Sequence, residues 1–308
     1  MHPLIHLALS LPTWQEEQPF LVTGLALGGV YALSGVGMIV LFRTTGVLNL
    51  SFGAVGAFGA LISWQLINHN GMNQWLAYLA CVLFGGVVTL AYGMVFGRVL
   101  APRDPLVKTT ATLGLTLILL GVMDLLWTSS GGASRSISLP TDNHGFLIGQ
   151  VQVTTTDVIG LAFGIVITVA TTVFLRYSKL GTAMRAMAND REITATLGVP
   201  VRRVEASAWF GCGIVAGIAG ILLADMVALD ATTLTFLVIS SLAAALIARL
   251  SSVVVTFIAA IVIGVVDALV TPINGLTNYH DATPFVLAAI ALLVLNRKRV
   301  ISLSRQEF

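Results

Sequence analysis

Apolar residues in this chain come in runs of about 20 separated by short polar breaks, with none of the decamer alternation of a barrel strand. Nine runs stand out: Phe20–Phe42, Val47–Ile67, Leu76–Gly97, Ala111–Thr128, Asp157–Leu175, Ala206–Ala228, Thr232–Ala248, Val253–Thr271 and Thr283–Asn296. Each predicts a helix long enough to cross about 30 Å of hydrocarbon, apart from the last. That one either begins earlier, near Asn278, or inserts beside its neighbours. The first 19 residues lack Lys and Arg. They carry no convincing secretory signal and predict an extracytoplasmic lead segment, with Leu4 to Leu11 lying along the interface beside Trp14.

Composition makes the same case. Hydrophobic residues are 56% of the 308 and charged residues 10%, where a soluble domain carries about 25%. Mean hydropathy is +0.93. So little charge cannot coat a water-soluble body, and in lipid only helices and closed barrels satisfy their own backbone. The expected fold is an all-α polytopic membrane protein of about nine transmembrane helices, forming one permease-like domain over 1–308.

Charge then fixes an expected orientation. With the C-terminus cytoplasmic, 15 of the 16 Lys and Arg residues fall inside and only Arg135 outside, as the positive-inside rule requires. The N-terminus is then outside. Asp124, Asp225, Asp230 and Asp267 gather at outer helix ends. Simple solvation accounts for them; so does a docking face for a solute receptor or a cationic solute.

Small residues predict tight helix contacts. Gly24-Gly28, Gly93-Gly97, Gly160-Gly164 and Gly213-Gly217 are spaced four apart inside apolar runs. Such pairs let backbones approach where no hydrophobic effect drives association. Gly213, Gly217 and Asp267 are candidates for packing or partner contact. Cys81 and Cys212 lie within apolar runs and read as packing residues.

No segment carries an enzyme's signature: there is no phosphate-binding GxxxxGK[ST] loop, HExxH, GxSxG or CxxC. His2, His6, His69, His144 and His280 fall in tails or outer connections, so no metal centre is expected. Nor does a chain of ionisable residues cross the membrane, which counts against an ion-coupled pump. The few polar side chains at depth, Asn49, Ser51, Thr112 and Thr116, are candidates for the solute path. Interhelical hydrogen bonding, worth roughly 0.6 kcal/mol each, is the ordinary alternative.

The long inner loop 176–203 is the informative segment. It holds six basic and two acidic residues, RYSKLGTAMRAMANDREITATLGVPVRR. Asn189 or Asp190 is placed to cap a short helix starting near Arg191, and Gly198 with Pro200 to end it. Such a helix suits transmission of force from a soluble partner; a solvated loop touching lipid headgroups is the plainer reading.

Here the sequence resembles a known family. LGTAMRAMANDREITATLGVPVRRV is similar to the cytoplasmic coupling loop of branched-chain amino acid (Liv-type) ABC permeases. Gly24 to Ala60 resembles the first two helices of that family, with Asn49 and Gly53 in an Asn-x-x-x-Gly element. ATLGLTLILLG from Ala111 and IGVVD ending at Asp267 resemble later elements, in the same order. The resemblance implies a permease subunit of an importer for branched-chain or other small hydrophobic amino acids in a bacterial inner membrane. It further implies two cytoplasmic ABC ATPases, a second related permease in a heterodimer, an extracytoplasmic substrate-binding protein, contact with membrane lipid, and no nucleic acid. ATP and Mg would enter only through the partner subunits, with no cofactor and no catalytic site in this chain. Asp190, Glu192, Ala195, Gly198 and Val199 would sit in the ATPase groove.

Two departures widen the range of solutes. The family's Asn-Phe-Ala-His-Gly element reads Asn49-Leu50-Ser51-Phe52-Gly53, without the histidine. The glycine-rich turn before the eighth span reads Ala248-Arg249-Leu250-Ser251-Ser252. Urea, short amides and carboxylates therefore stay open as solutes. An ion-coupled transporter or a passive channel is the alternative class.

Overall fold

The computed structural model describes residues 14–100, 103–127, 135–137, 139, 145–148, 151–227, 229–272, 282–291 and 293. Among these the chain is predominantly helical, and six helices are long and apolar enough to cross a membrane. In chain order the first four are α1 (Trp14–Thr45), α2 (Phe52–Asn68), α3 (Gln74–Leu100) and α4 (Pro105–Trp127). An antiparallel hairpin follows, β1 (Gly145–Ile148) and β2 (Val151–Thr154), with Gly145 opposite Thr154. Then come α5 (Thr155–Tyr177), α6 (Lys179–Asn189), α7 (Arg191–Thr196), α8 (Val201–Met226), α9 (Ala231–Phe236), α10 (Val238–Ile247) and α11 (Val253–Val270). A last helical stretch covers 283–291, within the ninth apolar run, whose remainder lies mostly outside the described residues.

The all-α polytopic class holds; two expectations of detail are corrected, and one small element is added to the helices, the hairpin. Its strands end directly at α5, where Thr154 and Asp157 form a capping box that starts the helix. Residues 14–19 of the lead segment belong to α1, with Pro19 inside the helix; residues 1–13 lie outside the described residues. And two of the expected continuous spans are broken. The second begins with a non-helical stretch over 46–51 before α2, and the seventh is split at Leu237 into α9 and α10.

Burial sorts the helices into centre and rim. Of the most apolar stretch of α1, 78% is buried, and of α8, 61%, against 17% for α5 and 22% for α4. α1 therefore serves as the central post, packed by α11, α5, α8 and α10, while α8 carries α3 and α2 on its other flank. The rim helices expose Leu117, Leu125, Val166 and Ile258, as a lipid-facing or partner-facing surface must.

Glycine decides how closely these helices meet. Gly213 on α8 faces Gly85 on α3 so tightly that a Cβ there would collide with the Gly85 carbonyl and the Thr89 hydroxyl. Gly217 lies one turn on, its absent Cβ aimed 2.7 Å from Val82 Cα. Both candidates thus make contacts within the chain. Thr89 locks the same crossing by donating its hydroxyl to the Trp209 carbonyl at 2.8 Å. In the Gly93-Gly97 pair, only Gly93 is needed: it lies under the Trp209 ring, whereas Gly97 faces open space.

Candidate translocation site and coupling helix

All four polar path candidates meet at one place, where the chain leaves α1. Gly46 adopts φ +70°, ending the helix, and the backbone then runs non-helically to Ser51. A non-helical segment at membrane depth must find partners for its amides in the protein, since lipid offers none. Helix α4 supplies them from one face. Leu48 N–H donates to Thr109 Oγ1 at 3.3 Å and Leu50 N–H to Thr112 Oγ1 at 3.0 Å. The Thr116 hydroxyl donates to the Leu50 carbonyl at 3.2 Å. Asn49 folds back, its Oδ1 accepting from both the amide (3.1 Å) and the hydroxyl (2.6 Å) of Ser51. The Asn49 amide nitrogen also points at Cys212 Sγ, 3.7 Å away on α8. Asn49, Ser51 and Thr112 are fully buried. The cluster is saturated with internal bonds, so its first physical role is to hold an irregular backbone inside the bundle.

Thr109 is not singled out by the sequence, and Cys212 reads there only as a packing residue. Thr109, Thr112 and Thr116 do sit at helical spacing, three and four apart, and that stripe was the available signal. The Cys212 contact depends on how α8 packs and leaves no trace in local sequence.

Directly above this segment two helix interruptions face each other. Helix α2 starts at Phe52 with no side-chain cap, and Gly53 abuts the Thr235 carbonyl at the end of α9. Between them and α8 lies a cleft lined by Ser34, Phe52, Gly53, Ala216, Gly220 and Val238. It has room for no more than about one water molecule, so the centre of the bundle is closed. Towards the acidic end a vestibule opens between α2, α4 and α9, with Asp124, Trp127, Arg135 and Asp230 on its walls. The Arg135 guanidinium donates to the Trp127 carbonyl and stands 5.3 Å from the Trp64 ring centre.

The opposite end carries the coupling candidates. Ser178 caps α6, whose buried face of Gly181, Met184 and Met187 seats it against α1, α5 and α8. The chain turns at Asp190, which closes α6 and caps α7 by accepting from Ile193 N–H at 2.9 Å. Gly198, at φ +82°, reverses the chain after α7, and its own surroundings are open, so backbone conformation rather than space is what demands glycine there. Of Asp190, Glu192, Ala195, Gly198 and Val199, only Val199 is partly covered; the other four are exposed. Thr194 alone is buried within α7, its hydroxyl bonded to the Asp190 carbonyl at 2.6 Å. Ile193 and Leu197 stand bare, at 59% and 76% exposure. Arg191 pairs with Glu205 of α8 at 2.9 Å, but both are solvent-accessible and the pair adds at most about 1 kcal/mol.

A narrow cleft joins the two regions. Thr45 and Val47, where the non-helical segment begins, share its walls with Lys108, Trp209 and the Arg191–Glu205 pair. Beside it a groove of about 1040 Å³ runs between α3 and α8, flanked by Arg202 and Arg203. Asp267, the remaining candidate, sits half-buried on α11 one turn before the helix ends, its carbonyl accepting from the Thr271 hydroxyl at 3.1 Å.

Residues 20–307 match the family described as the permease component of branched-chain amino acid transport systems. The chain is 26% identical over 287 residues to the high-affinity branched-chain amino acid transport system permease protein LivH of Escherichia coli, covering 88% of this chain and 91% of that protein. It is 28% identical over 219 residues to the corresponding protein BraD of Pseudomonas aeruginosa, covering 66% and 69%. With the probable LivH of Methanocaldococcus jannaschii it shares 26% identity over 239 residues, covering 75% and 73%. A match over nearly the whole length, on a bundle of apolar helices, leaves one conclusion: the chain is a multi-pass membrane protein that belongs to the branched-chain amino acid transport permease family.

Proposed function

We propose that this chain is one membrane-spanning subunit of an ATP-driven importer for branched-chain or other small hydrophobic amino acids. One of two cytoplasmic ATPases grips α7, a second related permease completes the path, and an extracytoplasmic binding protein delivers solute at the acidic end. The observation that carries this reading is α7: a capped helix, seated on the body through α6, with Ile193 and Leu197 uncovered. A bare apolar pair on a water-exposed helix is a contact waiting for a partner. The orientation follows from charge. Arg43, Lys108, Arg176, Arg185, Arg191, Arg202 and Arg203 gather around the end that carries α7, the end the positive-inside rule assigns to the cytoplasm.

The mechanism uses the cleft between the two regions. When the ATPases close, α7 moves with Asp190 as its hinge, and the shared wall of Arg191, Glu205, Thr45 and Val47 passes that motion to segment 46–51. A segment held by hydrogen bonds rather than by helix geometry has a second bonded arrangement within reach, which a bistable gate needs. Facing helix interruptions at mid-depth are where membrane transporters hold solute. The outer vestibule carries both charge signs, Arg135 with Asp124 and Asp230, as suits a zwitterion. Phe52 replaces the family's imidazole beside the central cleft and keeps its lining apolar.

The test is co-purification and uptake. With its ATPase and permease partners, the wild-type chain should drive ATP-dependent leucine accumulation in proteoliposomes, with urea and acetamide as comparison solutes. Leu197→Asp should abolish ATPase capture while leaving the chain folded. Capture unaffected by Leu197→Asp and Ile193→Asp together would remove α7 from the coupling role. Flux by the chain alone, under an ion gradient or with none, would replace the importer reading.

A further inference from the structure

We infer that the groove between the cytoplasmic ends of α1, α5, α6 and α11 is a binding site for the headgroup phosphate of an anionic phospholipid. The groove has a volume of about 660 Å³, and Arg43, Arg176 and Arg185 converge on it. Each guanidinium is held in place without being neutralised. Arg43 Nη1 donates to the Ser251 carbonyl at 2.9 Å. Arg185 Nη2 reaches the Arg176 carbonyl at 3.4 Å, and Arg176 lies 5.6 Å from the Tyr177 ring centre. Among the described residues none of the three forms an ion pair, and the one ion pair there is Arg191–Glu205.

The helices that frame the groove supply no carboxylate at it, and Asp190, which follows α6, is engaged in capping α7. Helix α6 and residues 20–45 of α1 contain no Asp or Glu, and the single carboxylates of α5 and α11, Asp157 and Asp267, lie at the far ends of those helices. Three positive charges around one concavity call for an anion from outside the chain. The groove also ends at the start of α11, where Ser252 caps Val255 N–H at 3.3 Å, so the positive end of an 18-residue helix dipole adds to the field.

The walls identify the anion as a lipid rather than a free ion or a protein side chain. Thr172 and Leu175 line the groove on α5, and Val253 and Val254 on α11. Beyond them both helices continue as exposed apolar surface, Val169, Val173 and Phe174 on one and Val255, Ile258 and Val262 on the other. A soluble subunit does not cover membrane-depth residues, whereas a phospholipid presents its phosphate to the arginines and its acyl chains to these two faces. A second permease seated there would exclude the lipid, and equal retention of the two lipids below would report it. The inner-leaflet location rests on the orientation proposed above; binding itself does not, and the experiment below separates the two.

The full chain, with whichever subunits accompany it, is purified in neutral detergent and doped with dioleoylphosphatidylglycerol or dioleoylphosphatidylcholine at equal mole fraction. Thermal stability and retained lipid by native mass spectrometry are then read. Phosphatidylglycerol should raise the melting temperature by several degrees over phosphatidylcholine and be retained several-fold more. R176Q/R185Q, which leaves the Arg43–Ser251 bond intact, should lose most of both differences, and the control R202Q/R203Q should keep them. Equal effects of the two lipids on the wild type would overturn the inference, as would an undiminished preference in R176Q/R185Q. Millimolar inorganic phosphate that reproduces the whole stabilisation would make the groove a free-anion site. If R176Q/R185Q weakens ATPase capture while the lipid preference persists, the groove is a protein contact and the assignment fails.

Discussion

The main-chain N–H of Leu50 donates to the hydroxyl of Thr112, 3.0 Å away on α4. Through this bond a non-helical stretch of backbone is tolerated inside an apolar bundle. Thr112→Val keeps the shape and removes the acceptor, leaving a buried amide unsatisfied at a cost of about 1–3 kcal/mol. We expect a lower melting temperature and lower uptake for Thr112→Val, with Thr112→Ser near wild type. Equal behaviour of the two variants would show that the hydroxyl does not hold the segment.

The α3–α8 crossing provides a controlled comparison on one helix. Gly213→Ala places a methyl against the Gly85 carbonyl and should force the helices apart, costing about 1–3 kcal/mol. Gly211→Ala, two residues away, meets nothing within 4 Å. It should be neutral or slightly stabilising, because alanine is the better helix former. Thermal unfolding in detergent reads the difference.

Rigidity of α7 is tested at its two ends. Asp190→Ala removes the cap, worth about 1 kcal/mol, and Gly198→Ala imposes a left-handed backbone on an L-residue at about 1–2 kcal/mol. Both strains are confined to an exposed helix, so the global melting temperature should hardly move. Uptake per ATP hydrolysed should fall, and Asp190→Asn should restore it, since asparagine also caps. Should uptake per ATP hydrolysed survive both changes, the helix is not a lever.

The turn after α10 yields a prediction in the opposite direction. Arg249 and Leu250 both have positive φ, 52° and 53°. The Leu250 amide bonds to the Ala245 carbonyl and the Arg249 amide to that of Leu246, each at 2.8 Å. This is the paired pattern that usually ends on glycine. Arg249 and Leu250 therefore hold a turn that glycine would hold with less backbone strain. Arg249→Gly should relieve about 1 kcal/mol of backbone strain, set against the interaction that Arg249 makes, and thermal unfolding reads the balance. Leu250→Gly should gain nothing, because Leu250 packs on the cluster of Val36, Ile39 and Val253.

Much of this was legible in the sequence for a simple reason. Hydrophobic length, charge asymmetry and capping residues act locally, so the long helices, the charged ends and the Asp190–Gly198 helix could be read directly. The breaks could not. Val47–Ile67 and Thr232–Ala248 are as apolar as any continuous span, and no residue in either forbids helix at Leu48 or Leu237. Nor could the sequence foretell the pairing of 145–148 with 151–154, two strands of only four residues each.

By itself, then, the sequence determined that this chain lives in lipid, where its long apolar helices run, and where the short helix after Asp190 begins and ends, because each follows from the solvent's refusal of charge and of unpaired backbone. Tertiary structure decided which stretches stay straight and what meets what. Only the approach of α4 gives the amides of Leu48 and Leu50 an alternative to helix, and only the joint arrival of α1, α5 and α6 turns three scattered arginines into one groove. Both depend on distances between residues more than 60 positions apart, and no local pattern encodes them.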